Sequence, residues 1–358
     1  MRKSAKRGRI RGTILFHLIL LLCFTSLSAE EKVAVTSNGV VIQFSALTQI
    51  WFTSYFGYKA PTPDASTFKL RRSQLQFSGA IDNDKINWVV MLDPAARPSS
   101  PLQDLYINLN YVRNVEFRAG QFKLPFTLES ITPSGQLDFI ERTLIVRAFS
   151  EKRDIGVMVS SRFKNFEGQL GLINGSGQNT TDPNYWKDYV GRIVVKPTSS
   201  FALGTSGYYG YSPTGLTVKN GKLRTGTNDL WRGGVDVKFD YSGLSFRSEA
   251  IWARSDTSIF VLGSPSLAIR VIRRKEWGGY SSFLYNILVK HQACARFEWF
   301  DPNTNVGRDA TFITTLGYNF LLTPRTKFQL NLQSQVEQKG NAENRDFYII
   351  LTNLQVSF

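Results

Sequence analysis

Cysteine and histidine are scarce in this sequence: its 358 residues contain two of each. Cys23 and His17 lie in an N-terminal segment that we expect to be removed, which leaves Cys294 and His291. A single cysteine cannot form an internal disulfide, and one cysteine with one histidine cannot make the usual zinc sites or a Ser-His-Asp triad with spare partners. We therefore predict a protein that is not an enzyme and that needs no cofactor or metal.

Long hydrophobic runs are also missing beyond the N-terminus. A helix that crosses a bilayer needs about 20 consecutive apolar residues, and no later run approaches that length. If the mature chain lies in a membrane, it must be a closed β-barrel, because only that other shape pairs every backbone N–H and C=O group in lipid. The aromatic content of 13% is too high for a disordered chain, although a soluble β-rich protein could share it.

The N-terminus has the order of a secretory signal peptide. A basic stretch, Arg2–Arg11, precedes an apolar stretch, Ile14–Phe24, and small residues follow. The apolar stretch is too short to span a bilayer. We expect residues 1–29 to be the signal, cleaved after one of its last two residues, and residues 30–358 to form a single barrel domain.

Positive charge remains in excess after this cleavage. Six of the 43 basic residues leave with the signal, and the remaining 37 face 28 acidic residues, a net charge of +9. This excess indicates an anionic partner, such as a small solute or the phosphates of lipopolysaccharide, or simply a solvated surface charge. The basic residues are spread along the chain without a recognition helix, so we expect no nucleic-acid partner.

Apolar and polar residues alternate along most of the mature chain. In the first such segment Ile42, Phe44, Ala46, Ile50 and Phe52 alternate with polar side chains. A strand of this length with one apolar and one polar face is typical of a membrane barrel. The repeats predict an all-β fold, a transmembrane antiparallel β-barrel of about sixteen strands, although fourteen or eighteen would also fit.

Tight turns and long polar loops follow one another, as in outer-membrane barrels. Asp82–Asp84 is a predicted tight turn, whereas Asn174–Asn184, Ser212–Asn228 and Ser255–Ser266 are predicted long loops. Apolar residues alternate back from the terminal Phe358, which resembles the signal that barrel-assembly machinery reads. We therefore predict a protein of the bacterial outer membrane, surrounded by its lipid and lipopolysaccharide.

A set of motifs lies between residues 69 and 200. They are Leu70–Leu75, Leu102–Ile107, Gly120–Glu129, Phe139–Arg142, Ala148-Phe149 and Arg153–Val157. Their order and spacing resemble those of the phosphate-selective porin O and P family, over about a third of the chain. The resemblance implies a sixteen-stranded barrel, usually a homotrimer, whose third long loop folds into the lumen and constricts it. This constriction loop would be residues 123–152.

The composition of this segment independently favours an ordered loop, because it carries aromatic anchors such as Phe126 and Phe139. An anion that enters a narrow pore loses water, and inward arginine and lysine side chains can replace it. The candidate anion-binding residues are Lys123, Arg142 and Arg147 on the loop, with Arg72 and Arg118 on the facing walls. Each could instead be neutralised by a neighbouring carboxylate, but the cluster as a whole favours anion passage.

One departure from the family pattern leaves the solute open. Phosphate-binding members carry extra lysines after the Leu-Glu pair of the loop, and Ser130–Gly135 contains none. The predicted function is passive diffusion of small anions, with phosphate or polyphosphate as one option. A general small-solute porin is the alternative, as is a barrel with an adhesive or structural role carried by its long loops.

Overall fold

The computed structural model describes residues 33–37, 40–57, 65–96, 101–150, 152–182, 184–219, 222–261, 268–340 and 342–358, and the expected signal peptide lies outside them. These residues form seventeen strands in one antiparallel sheet. The strands are β1 (Val33–Ser37), β2 (Val40–Phe56), β3 (Ser66–Ile81), β4 (Ile86–Leu92), β5 (Leu102–Val112), β6 (Val115–Lys123), β7 (Arg153–Phe163), β8 (Phe166–Ile173), β9 (Asp188–Thr198), β10 (Phe201–Lys219), β11 (Lys222–Tyr241), β12 (Leu244–Val261), β13 (Ala268–Leu288), β14 (His291–Asp301), β15 (Thr311–Thr323), β16 (Thr326–Glu337) and β17 (Arg345–Ser357).

Strands β2 to β17 close into a ring, because each pairs with the next and β17 pairs back with β2. In the closing pair, Ser357 lies opposite Leu47 and Tyr348 lies opposite Phe56. The short β1 pairs with the first residues of β2, beyond the end of β17. The predicted antiparallel barrel of sixteen strands is confirmed, and closure leaves it without the exposed edges of an open sheet.

The alternation of the sequence becomes an apolar outside and a polar inside. On β5, Leu105 and Ile107 are 48% and 50% exposed, whereas Asp104 and Asn108 are buried. Exposure of so many large apolar side chains to water would be unfavourable in a soluble protein. On a transmembrane barrel the same outer surface faces the lipid bilayer. The polar side chains point into the lumen, where the site described below is built.

The segment between β6 and β7 folds into the lumen. Residues 124–150 and 152, called the inward loop below, contain the helices α1 (Leu128–Ile131) and α2 (Leu144–Phe149), joined through a 3₁₀ turn at Ser134–Gln136. The loop makes hydrogen bonds to β2, β12, β14 and β16, which lie along the arc of the ring that runs from β12 through β17 to β2. Within the described ranges, no helix is long and apolar enough to cross a membrane.

Apolar side chains of the inward loop pack against one side of the inner wall. Phe126, Ile145 and Phe149 are at most 6% exposed and form one cluster with wall residues that include Met158 and Ile251. Burial of one such side chain contributes about 1.5–3 kcal/mol, so the cluster stabilises the folded loop. The aromatic anchors expected from the sequence, Phe126 among them, are thus buried as predicted.

Two predicted long loops are wrong. Strand β10 continues to Lys219 and β11 begins at Lys222, so most of residues 212–228 is a paired ribbon. Similarly, β12 continues to Val261 and β13 begins at Ala268, which leaves only residues 262–267 between them. The polar composition of these segments suggested loops, but an antiparallel partner satisfies the backbone of a polar strand equally well.

The terminal Phe358 should matter for assembly, because it helps to close the ring. Its backbone exchanges hydrogen bonds with Ala46 on β2, and its ring lies 5.7 Å from that of Phe44. We expect Phe358→Ser to reduce the amount of folded, heat-modifiable barrel several-fold in outer-membrane fractions. Phe297→Ser, which removes a lipid-facing aromatic from a middle strand, is the control. Equal yields from the two variants would contradict a special role for the terminus.

Candidate functional site

The inward loop is held by carboxylates of the opposite wall. Glu249 on β12 accepts hydrogen bonds from the backbone N–H groups of Leu128 (2.9 Å) and Glu129 (2.6 Å). Glu298 on β14 accepts one from the N–H of Leu144 (2.8 Å). The first N–H groups of a helix have no partner within the helix and favour a negative charge. The first N–H groups of both loop helices therefore donate hydrogen bonds to glutamates of the barrel wall.

A third carboxylate, Glu129, joins the two helices to each other. It accepts hydrogen bonds from the N–H (2.8 Å) and the hydroxyl (2.7 Å) of Thr143, at the beginning of α2. Arg296 on β14 is 3.3 Å from Glu129 and 2.7 Å from Glu298, so one buried wall cation pairs with a carboxylate of the loop and with a carboxylate of the wall. The loop is consequently fixed in position relative to the wall.

Arg142 belongs to this internal framework and not to the pore lining predicted from the sequence. Its side chain is 1% exposed. The guanidinium donates to the carbonyls of Glu129 (3.1 Å) and Thr132 (2.6 Å) and lies 3.4 Å from the hydroxyl of Ser134. Backbone carbonyls inside a loop need such donors because water cannot reach them. The expectation that Arg142 faces a passing anion is therefore wrong.

The neighbouring Glu141 points the other way, towards β3. Its Oε2 accepts hydrogen bonds from Nε (3.1 Å) and Nη2 (2.9 Å) of Arg71, and its Oε1 accepts one from Nη2 of Arg72 (3.2 Å). Arg72 is buried and also donates to Gln49 at 2.8 Å. This contact is where the inward loop meets the wall on the side away from its apolar cluster.

Cations gather around this contact. Lys69, Arg71 and Arg72 lie over the ring of Trp51, at 5.0, 5.2 and 5.9 Å from its centre. Such cation–π contacts stabilise a cation without neutralising its charge. Arg147 on α2 is exposed and close enough for its charge to act on both Glu141 and Lys69. We refer to Lys69, Arg71, Arg72 and Arg147 as the cation cluster.

The charge of the cluster controls the protonation of Glu141. Burial alone would raise the pKa of this carboxyl, but the charges of Arg72, Arg71 and Arg147, with a hydrogen bond from Arg71, outweigh burial and hold the pKa at about 2. Glu141 is thus ionised at neutral pH. Among the described residues, four cations surround this one carboxylate, which is an excess of positive charge.

Several other arginines of the described inner wall form ion pairs with carboxylates, whereas Arg232 is held by the carbonyl of Phe149 and by aromatic rings. Arg118 lies 3.0 Å from Glu116, and it also donates to Asn108 (2.8 Å) and lies over the ring of Tyr106. Arg192 makes an ion pair with Asp236. These pairs are locally neutral, whereas the cation cluster carries an excess of charge.

The structure therefore separates the five residues predicted from the sequence. It brings Arg72 and Arg147 together at the cation cluster, places Arg118 in its own ion pair, and leaves Lys123 half-buried at the end of β6. Arg142 lies within the loop, as described above.

Two members of the cluster, Lys69 and Arg71, were missed. The register between β2 and β3 shifts at this point, since Gln49 lies opposite Arg72 but Ile50 lies opposite Leu70. Arg71 is the extra residue of this bulge. The shift turns Leu70 outward, 64% exposed, and brings Lys69 to Trp51. Strict alternation counted back from Arg72 would instead place Leu70 on the inner face and Lys69 on the outer face. A bulge has no clear signal in the sequence, so these positions could not be predicted.

A closed sixteen-stranded barrel with an inward loop and a charged lumen defines the porins of the bacterial outer membrane. The chain belongs to the phosphate-selective porin O and P family, whose sequence profile matches residues 45–229, just over half of its length. It is accordingly an outer-membrane porin, and its family points to a channel rather than to an enzyme. Comparison with curated proteins gave no match.

Solved structures agree on the fold. The outer-membrane channel DcaP of Acinetobacter baumannii is 10% identical with a TM-score of 0.66, and the match covers 93% of this chain and all of DcaP. An anion-selective porin from Comamonas acidovorans is 10% identical with a TM-score of 0.60, covering 89% of this chain and all of that porin. OmpT of Vibrio cholerae in its trimer form is 11% identical with a TM-score of 0.62, covering 90% and 100% of the two chains.

The anchoring of the inward loop gives a testable prediction. In the double variant Glu249→Gln and Glu298→Gln, one oxygen of Glu249 that accepts a loop N–H is lost and the acceptor at residue 298 becomes neutral. A hydrogen bond to a charged group contributes about 1.5–3 kcal/mol, and one to a neutral group about 0.5–1.5 kcal/mol. We expect a larger single-channel conductance and more open-channel noise in planar bilayers, because the loop can leave its position. Glu337→Gln, at the end of β16, is the control. Unchanged traces from the double variant would show that these contacts do not hold the loop.

Proposed function

We propose that this porin conducts small anions by passive diffusion through a water-filled pore between the inward loop and the wall formed by β3 to β6. The observation that supports this proposal most strongly is the excess of positive charge at the cation cluster, where the loop and β3 meet. An anion that sheds water in a narrow passage needs donors and positive charge to replace its hydration, and a cation is repelled there. The locally neutral ion pairs elsewhere on the inner wall supply no comparable preference.

The chemistry of the cluster favours oxyanions among these solutes. The guanidinium groups of Arg71 and Arg72 are planar forks whose donors match two oxygens of a phosphate, a sulfate or a carboxylate. Lys69 and Arg147 are exposed and supply charge without a fixed geometry. We therefore propose small oxyanions, phosphate included, as preferred solutes, with chloride also conducted. The absence of lysine from Ser130–Gly135 argues against a dedicated high-affinity phosphate channel.

The assembly and surroundings of the barrel are also proposals. We propose a homotrimer, supported by the trimer form of OmpT, whose fold is similar. The apolar outer surface is suited to lipid and lipopolysaccharide, and the alternation that ends at Phe358 is suited to recognition by the assembly machinery. We expect chemical cross-linking of detergent-purified barrel to give a ladder that ends at three subunits. A ladder that ends at one or two subunits would contradict the trimer.

Removal of the exposed charges tests the function directly. We expect the triple variant Lys69→Ala, Arg71→Ala and Arg147→Ala to lose most of the anion preference of the wild-type channel. The measurement is the reversal potential in a tenfold KCl gradient, together with single-channel conductance. The preference of the wild type should itself shrink in concentrated salt, because the Debye length falls to about 3 Å at 1 M.

The matched control removes three cations from the short turns. Arg113, Arg162 and Lys164 are exposed at the ends of strands, away from the inward loop. Their triple alanine variant changes the net charge of the protein by the same amount and should keep the wild-type reversal potential. A wild-type channel without anion preference, or an equal loss in both triple variants, would contradict the proposed function.

A further inference from the structure

A cavity lies below the inward loop, on the side of the short turns. It is bounded by Pro133–Asp138 of the loop and reaches the turn at Pro324 and the terminal Phe358. Its volume is about 700 Å³. Small-molecule sites in proteins have volumes of roughly 300–1,000 Å³, so the cavity can hold a small organic solute. We call it the vestibule.

The vestibule is lined with amides more than with charges. Three of its lining residues are charged, Asp138, Arg325 and Lys327. Lys327 already donates to the carbonyl of Leu137 at 2.9 Å, and Asp138 lies 3.7 Å from Arg247. Twice as many lining residues carry a side-chain amide: Gln74, Gln76, Gln136, Gln292, Asn319 and Gln355.

These six amides fall into two groups. Asn319 and Gln355 each donate a hydrogen bond of 3.0 Å to a carbonyl of the inward loop, and Gln292 accepts one from Asn319 at 3.3 Å. This group holds the loop in place. The other three have no hydrogen-bond partner within the described ranges and are half-buried or exposed: Gln74, Gln76 and Gln136. Their donors and acceptors are available to a solute.

The available amides continue directly from the cation cluster. Arg72, Gln74 and Gln76 occupy alternate positions of β3 and face the lumen. Two residues of a strand span about 7 Å, so each amide follows the last side chain within the length of a small solute. Gln49 also joins the two places, because it accepts a hydrogen bond from Arg72 (2.8 Å) and donates one to Gln355 (2.7 Å).

We propose that the preferred solutes are phosphate esters that carry hydroxyl groups, such as sugar and polyol phosphates, and that the vestibule amides bind these hydroxyl groups. This inference rests on the proposed function and names the class of oxyanion. The phosphate group lies at the cation cluster, since a phosphate monoester carries about −1.5 to −2 charges at neutral pH and gains most from several cations. An amide presents a donor beside an acceptor, so it can pair with two neighbouring hydroxyl groups.

Both parts of the site are needed for this preference. Inorganic phosphate is bound by the cation cluster but has no hydroxylated carbon chain to reach the amides. A neutral sugar can pair with the amides but lacks the charge that the cluster attracts. Apolar side chains of the vestibule, Leu47, Met91 and Leu137, can contact the C–H groups of the ester. A hydroxylated phosphate ester uses all three kinds of contact at once.

The test compares four phosphates as blockers of the chloride current of the wild-type channel in planar bilayers. They are inorganic phosphate, propyl phosphate, glycerol 3-phosphate and glucose 6-phosphate. We expect the half-blocking concentration of glucose 6-phosphate to be about tenfold below that of inorganic phosphate, because several hydrogen bonds are added. Glycerol 3-phosphate should block at a lower concentration than propyl phosphate, from which it differs only by its hydroxyl groups.

A triple variant tests the amides themselves. It replaces the three available amides by methionine, which keeps the length of the side chain: Gln74→Met, Gln76→Met and Gln136→Met. The half-blocking concentration of glucose 6-phosphate should rise about tenfold, whereas that of inorganic phosphate should change much less. The matched control removes three amides from the inner faces of β8 and β16, outside the vestibule, and should keep the wild-type order of the four blockers: Gln169→Met, Gln333→Met and Gln335→Met.

The outcomes separate this inference from the function on which it rests. A wild-type channel without anion preference would overturn the proposed function. A wild type that prefers anions but is blocked equally by all four phosphates would overturn only the role of the vestibule. Equal block by glycerol 3-phosphate and propyl phosphate would do the same without the need for any variant, because it would show that hydroxyl groups are not recognised. An equal loss of block in the triple variant and its control would also overturn that role.

Discussion

The arrangement of the lumen depends on hydrogen bonds in which carboxylates of the barrel wall accept the first N–H groups of the loop helices. Glu249 and Glu298 project from β12 and β14 and receive the first N–H groups of α1 and α2, so the wall fixes both helices of the inward loop. The apolar cluster around Phe126 and Phe149 stabilises the loop, but apolar packing has no direction and would tolerate small shifts. The hydrogen bonds set the position that brings Glu141 and Arg147 to β3.

The positively charged side chains of the lumen are therefore of two kinds. Most of the described wall arginines serve structure, because a buried guanidinium without a counter-charge is costly and pairs such as Arg192 with Asp236 remove that cost. The cation cluster differs, since its excess charge is exposed to the lumen and is supported by the ring of Trp51. A lumen of this design can be polar throughout and still carry its excess of positive charge at one place.

The sequence predicts the barrel well because alternation is a local signal. Apolar and polar residues alternate with a period of two along segments such as Leu105–Tyr111, because each strand has one face towards lipid and one towards the water of the lumen. The polar ends of the hairpins β10–β11 and β12–β13 were missed, because a polar segment becomes a strand there by pairing with the adjacent strand, and its hydrophobicity gives no sign of this. At the site, Arg72 and Arg147 could be predicted from their charge and from the motifs around them. The positions of Arg71 and Lys69 depend on a bulge. The burial of Arg142 depends on how the loop folds, which no local pattern shows.

The proposed function requires that anions are attracted to the cation cluster in preference to the rest of the lumen. Crystals of the protein grown in sodium bromide would test it by anomalous scattering, which locates bromide independently of any assumed pathway. We predict a bromide site within contact distance of Arg71 and either Lys69 or Arg147. Bromide ordered elsewhere along the lumen, with none at the cluster, would contradict it.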